Sequence, residues 1–181
     1  MGELYTGYHG TTISRGESIL KNKYYFVSYK EDEWLGNGVY FFEKDINQAV
    51  DFCTKARRYD DYIILKSKIE AEICRDLDNL ETMKTLERIS KEINNRYLKL
   101  KDGSPRTLKN SVILDRLYKI KQYDVVKKTF PILKTTNINN TNFIWVQVQL
   151  CVRNIACIKT IEEVIRNERS YVFNWSWKHH S

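Results

Sequence analysis

Tyr8-His9-Gly10-Thr11-Thr12 closes a short apolar run (Leu4, Tyr5, Tyr8), and Gly36-Asn37-Gly38-Val39-Tyr40-Phe41-Phe42 opens on two glycines and runs directly into a strand-like aromatic stretch. Glycines at strand ends permit positive φ or let a ligand approach the backbone closely. Together the two stretches describe a pocket edge carrying one histidine, one tyrosine and bare amides, which suits a dinucleotide. The next segment reads as a helix over Asp45–Arg58. Asp45-Ile46-Asn47-Gln48 has the form of an N-cap with a reciprocal Gln, and Ile46, Ala49, Val50 and Cys53 keep i, i+3, i+4, i+7 spacing. Far along the chain, Trp145 to Asn154 alternates as a late strand, followed by Ile155, Ala156 and Ile158.

The rest of the chain is organised around these pieces. Residues 4–9 predict a strand ending at His9, and Ser14-x-x-Glu17 predicts a helix start, with Ile19 and Leu20 on its buried face. Tyr24–Tyr29 reads as a second short strand, Lys30–Leu35 as a charged loop, and Tyr62–Ile69 as another strand. Between residues 79 and 130 the character changes. Leu80, Met83, Leu86, Ile89 (or Ile93), Tyr97 and Leu100 recur at helical spacing, Lys101–Pro105 breaks the run, and Val112, Ile113, Leu117 and Tyr118 carry a second helix, with more helix expected up to Phe130. Lys134–Asn142 is a polar loop, and Tyr171–Trp177 alternates like a final strand. Strands at both ends with helices gathered between them predict an α+β domain spanning residues 1–181, with a helical insertion at about 79–130.

At 181 residues the chain is large enough for one self-sufficient core. No apolar run approaches the ~20 residues that cross a bilayer, and no leader precedes the first strand, so a cytoplasmic, membrane-free protein is expected. Cys53, Cys74, Cys151 and Cys157 form no paired spacing, so they read as buried free thiols, with no metal. The net charge of +7 often accompanies a polyanion, although the lysines are scattered and a solvated basic surface explains them equally well.

The His-Gly-Thr followed by Gly-x-Gly-x-Tyr-Phe, the helix after it and the late strand together resemble the ADP-ribosyltransferases, in the branch of diphtheria toxin and the poly(ADP-ribose) polymerases. The resemblance covers residues 4–58 and 143–160. It implies a split β-sandwich core with a cleft between two small sheets and helices between and to one side. It also implies NAD as co-substrate and a triad of His9, Tyr40 and Gln149, with Gln149 where the family usually carries Glu. On that basis His9 would bond a ribose hydroxyl and the Gly10 backbone would hold the carboxamide. Tyr40 would stack on the nicotinamide ring, worth ~1 kcal/mol or more. Thr11 or Thr12 would add a hydroxyl, Gly38 would line the site, and Gln48 would stand near the family's pocket serine. Glu43 reads as a solvated or capping carboxylate.

Glutamine keeps a hydrogen bond to the ribose and loses the charge beside a developing cation. Three readings stay open: single transfer to a strongly nucleophilic acceptor, Gln147 as the true third residue, or a fold that binds without turnover. The acceptor is assigned to the loop before the late strand, through Asn137, Asn139, Asn140, Phe143, Trp145 and Gln147, an amide and aromatic surface suited to an unpaired base. Arg57-Arg58 reads as a complement to the helix dipole. The expected function is a mono-ADP-ribosyltransferase acting on a macromolecule, nucleic acid ahead of protein. Its expected setting is that of an intracellular toxin with an antitoxin partner, or a defence enzyme. The alternatives are a non-catalytic nucleic-acid-binding module and an NAD glycohydrolase. His179-His180 is read as an unstructured end.

Overall fold

The computed structural model describes residues 2–29, 33–97, 108–132 and 144–168. In chain order the elements are β1 (Glu3–Thr11), α1 (Ile13–Asn22), β2 (Val39–Glu43), α2 (Ile46–Asp51), a π-helical turn (Phe52–Ala56), β3 (Tyr62–Ala71), β4 (Cys74–Asp76), α3 (Leu80–Tyr97), α4 (Asn110–Ile120), β5 (Val125–Pro131), β6 (Val146–Val152), a 3-10 turn (Ile155–Cys157) and β7 (Glu162–Asn167). The architecture is α+β. Its seven strands form one mixed sheet in the order β4-β5-β6-β2-β1-β3-β7, with β4–β5 the parallel pair.

The register of that sheet creates the site. β1 follows β3 from Glu3↔Ala71 to Thr11↔Ile63, and β2 follows β6 from Val39↔Val152 to Phe42↔Gln149. β1 and β2 themselves share only Gly7↔Glu43 and Tyr8↔Phe42. Beyond Tyr8 the two strands part, so two half-sheets meet at a short seam and leave the ends of β1 and β2 facing each other unladdered. The expected pair of small sheets is therefore one hydrogen-bonded sheet, opened along the β1–β2 line.

Both faces of the sheet are covered. On one face Tyr5, Phe41, Ile63, Leu65, Leu150 and Val152 pack with Ile19 of α1 and with Tyr25. On the other, Val126 and Cys151 meet Leu35, Leu114 and Leu117, while Ile64 and Tyr62 meet Ala49 and Cys53. Thus α1 lies alone on one side and α2, α3 and α4 lie on the other, where helices between and to one side were expected. Their covering both faces follows from the strands, where β1, β2, β3 and β6 each bury side chains both ways.

Several boundaries differ from the sequence reading, each for a physical reason. Helix α1 begins at Ile13 with Thr12 as N-cap, and no capping box forms, because Glu17 reaches Arg166 of β7 at 2.9 Å. Tyr24–Tyr29 is not a strand. It makes one bridge, Ser28↔Gly38, and its Tyr25 plugs the core. The helical insertion ends at Ile120, and Val125–Pro131 is β5, inserted between β4 and β6. Val125 and Val126 are β-branched residues that find partners only in the assembled sheet. Charged β7 was unpredicted because an edge strand needs little apolar patterning. The Lys101–Pro105 break and the 171–177 strand lie outside the described residues. Cys53, Cys74, Cys151 and Cys157 are free thiols. No described helix is long and apolar enough to cross a membrane.

One ion pair anchors α4 to the end of β6. The Arg153 guanidinium, nearly buried, donates to Asp115 and lies 5.0 Å from the Tyr118 ring centroid. Removing one partner of a buried pair strands the other charge, so Asp115→Ala is expected to cost about 3–5 kcal/mol in urea unfolding. A loss below about 1 kcal/mol, the worth of a surface pair, would show that the guanidinium is hydrated instead.

Candidate functional site

A cavity of about 800 Å³ opens where β1 and β2 part, a size within the roughly 300–1,000 Å³ of small-molecule and cofactor clefts. Because the ladder is absent there, lining residues come from both faces of the sheet. His9, Thr11, Val39 and Phe41 enter from one side, and Tyr40, Phe42, Gln147 and Gln149 from the other.

His9 sits immediately past the last β1–β2 rung. Its Nδ1 is 2.8 Å from the carbonyl of Tyr40, so the ring spans the seam where a backbone bond would otherwise run. A carbonyl only accepts, which places the proton on Nδ1 and leaves Nε2 as an acceptor. Tyr25 and Phe41 hold the ring, at 5.2 and 5.8 Å between centroids. Burial pushes the imidazole below its ordinary value. The bond to the Tyr40 carbonyl opposes that shift and the Arg15 charge reinforces it. The ring is therefore neutral at pH 7.

That shift carries a stability consequence. The folded value lies below the unfolded one, so the stabilisation is whole above about pH 6.5 and is lost as pH falls through the folded value. Urea titrations between pH 7 and 5 are expected to show wild-type stability falling more steeply than that of His9→Asn. Parallel curves would refute the assignment.

Tyr40 faces the side opposite to His9, and the two meet through the backbone and not side chain to side chain. Its hydroxyl donates to Gly36 O at 2.7 Å and accepts from Leu35 N at 2.9 Å, in a turn where Gly36 takes φ +79. Burial raises the phenol well above its ordinary value. With the hydroxyl closed off, only the ring is offered to a ligand.

Gly10 is where β1 passes closest to the helix layer. A Cβ there would stand 2.6 Å from Cys53 Sγ and 2.8 Å from Ala49 O, so only glycine lets the strand edge and the helix close together. Gly38 lines the cavity and is tied to Ser28 by two backbone bonds. Gln149 stands opposite Phe42 on β2 and Lys128 on β5, with Gln147 on the same face. Both glutamines line the cavity, and neither has a hydrogen-bond partner among the described residues.

The other expected residues are placed as follows. Thr11 lines the cavity, whereas Thr12 is the N-cap of α1 and lies outside it. Gln48 is also outside, because α2 turns Ala49 toward Gly10. Trp145 precedes β6, 51% exposed and away from the cavity. Asn137, Asn139, Asn140 and Phe143 lie outside the described residues, as do His179 and His180. Glu43 ends β2 with its carboxylate nearly buried, 3.6 Å from Lys127 and from Lys44, and not in the cavity.

Sequence reasoning missed a second set of lining residues. Phe52 in the π-helical turn lies against Phe42 at 5.9 Å, and Arg57 stacks over Phe52 at 5.2 Å. Arg57 thus belongs to the cavity and does not merely answer a helix dipole. Ser14, Arg15 and Ser18 face in from the start of α1, with Phe26 and Trp34, 56% and 58% exposed, at the rim. Two arginines, hydroxyls, amides and aromatic rings give the cavity groups that can pair with anions, form hydrogen bonds and stack on planar rings.

No protein-family model matches the chain. It is similar to an uncharacterized protein of the archaeon Methanocaldococcus jannaschii, 26% identical over 183 residues, covering 87% of this chain and 86% of that protein. That likeness brings no activity with it.

Proposed function

We propose that the chain is an NAD-dependent mono-ADP-ribosyltransferase of the diphtheria-toxin and poly(ADP-ribose) polymerase type, acting on a macromolecular acceptor. The observation that carries this reading is the seam. His9 is bonded across the split to Tyr40, and both line one cavity with Gln147 and Gln149.

NAD supplies the electrophile, a ribose carbon whose bond to nicotinamide breaks with cationic character. The residues position it. His9 Nε2 accepts from a ribose hydroxyl, which needs the neutral ring that burial maintains. The Gly10 backbone holds the carboxamide, the rings of Tyr40 and Phe52 bracket the nicotinamide, and Thr11 adds a hydroxyl. Arg15 and Arg57 answer the two phosphates. Gln149 bonds the ribose 2′-hydroxyl, with Gln147 toward the acceptor.

The acceptor class favoured is single-stranded nucleic acid. Phe26 and Trp34 expose stacking surface at the rim, and the chain carries a net charge of +7. An intracellular toxin or defence effector, neutralised by a protein partner, fits a small domain with such a site. The neutral Gln149 favours a second reading, a module that binds nucleic acid without turnover.

Labelled NAD, incubated with the full chain plus single-stranded RNA, DNA or extract protein, separates these. Nicotinamide release with label on nucleic acid supports the proposal. Label on protein changes the acceptor class, and label only on free ADP-ribose makes the protein a glycohydrolase. No release with nucleic acid still bound leaves the binding module.

A further inference from the structure

The third position of the site is an amide, yet the cavity does contain a negative charge. Glu33 is the one carboxylate among the described residues that line it. It sits in the turn between the aromatic stretch and β2, and that turn is fixed at several points. Its Oε1 accepts from the Ser28 hydroxyl at 2.6 Å, and Ser28 is held to Gly38 by backbone bonds of 2.9 and 3.1 Å. The Glu33 carbonyl accepts from Gly36 N at 3.3 Å, closing the turn whose Leu35 and Gly36 backbones clamp the Tyr40 hydroxyl. The carboxylate and the Tyr40 ring are thus linked through one turn, Glu33–Gly36. Oε2 has no partner among the described residues, and no described lysine or arginine pairs with the group. Its charge is felt at Tyr40 and Cys151, which share a sheet face with Gln149.

A carboxylate with no cationic partner among the described residues, in a cavity lined by two arginines, asks for a reason. Simple charge balance would place it against Arg15 or Arg57, and it lies against neither. We propose that Glu33 is the catalytic carboxylate of this site. On this assignment its open oxygen accepts a hydrogen bond from a hydroxyl of the ribose beside the nicotinamide, and its charge stabilises the cation that forms there. The inference rests on the NAD reading above. As the carbon–nitrogen bond breaks, its electron pair leaves on nitrogen as neutral nicotinamide. An acceptor oxygen or nitrogen then gives a pair to the same carbon and loses its proton to water. Glu33 exchanges no proton in this step. Gln149 is free to act as a neutral hydrogen-bonding group, which accounts for an amide at that position in a working enzyme.

The test uses the full chain and nicotinamide release. Glu33→Gln keeps an oxygen for the Ser28 bond and removes the charge. It is expected to lower kcat about 100-fold, with KM for NAD changed less than about threefold and the melting temperature unchanged. Adding Gln149→Glu to Glu33→Gln returns a carboxylate to the cavity from the other side, and is expected to recover about tenfold of that loss. A role confined to bracing the turn would give no such rescue. Glu33→Gln with kcat within about threefold of wild type, or failure of the rescue, overturns the Glu33 assignment and leaves the NAD reading intact. Wild-type protein that releases no nicotinamide overturns both.

Discussion

Replacing His9 by alanine is expected to lower nicotinamide release from NAD by about 10²–10³-fold, the scale seen when one preorganised hydrogen-bonding group is removed from a reacting centre. Two functions are lost together. On the proposed NAD reading Nε2 no longer accepts from the ribose, and the Nδ1 bond that spans the seam to the Tyr40 carbonyl disappears. The second loss leaves a half-buried carbonyl without its partner, at about 1–3 kcal/mol of stability. Melting and activity must therefore be measured on the same preparation. His9→Asn separates the effects, since the amide can donate to the carbonyl but does not reproduce the reach of Nε2. Both variants are expected to be inactive, with His9→Asn the more stable. A His9→Ala protein that turns over NAD within about threefold of wild type would remove the histidine from the reaction and, with it, the main support for the transferase reading.

The largest expected effect on stability belongs to Phe41→Ala, at about 3–5 kcal/mol by urea or thermal unfolding. Phe41 is 1% exposed. It pairs with Leu150 across β2–β6 and meets the Tyr25 ring edge-on at 5.0 Å, and its ring lies over Gly7, where no other side chain competes. Gly7 beneath the ring has no side chain to refill the space, so the cavity cost adds to the lost transfer energy. Against a total stability of about 5–15 kcal/mol such a loss is a large fraction. Phe41→Leu keeps most of the volume and is expected to cost less than about 1.5 kcal/mol. It also withdraws one of the two rings that hold His9, so its activity is expected to fall more than its stability does. A Phe41→Ala cost below about 1.5 kcal/mol would mean that this side of the core collapses freely, and that His9 is held by Tyr25 alone.

The parts of the fold that could be read in advance were those with local signals. Asp45 before an i, i+3, i+4 apolar series marks a helix start whatever lies elsewhere, and it caps α2 by accepting from Asn47 N at 2.9 Å. The Val39–Phe42 and Trp145–Asn154 stretches are β-branched, aromatic or alternating, and they enter the sheet as the strands Val39–Glu43 and Val146–Val152. Where signals conflicted, the reading failed. Lys127-Lys128 after a helical run looked like more helix, but β4 and β6 offered Val125 and Val126 a ladder. The Ser14–Glu17 box was a sound local device that lost to an ion pair with Arg166, more than a hundred residues away.

For the site, the amino-acid sequence by itself determined the chemistry available: one histidine before a glycine, one tyrosine after a glycine pair, and two glutamines, Gln147 and Gln149, on one face of a late strand. Those follow from residue identity and short spacing. Only the tertiary structure decided that β1 and β2 share two rungs and then part, because strand register is set by long-range pairing. That parting turns His9 into a bridge across the seam. It also brings Phe52 with Arg57, Arg15 and Glu33 from three separate segments to one cavity, a convergence that no spacing along the chain encodes.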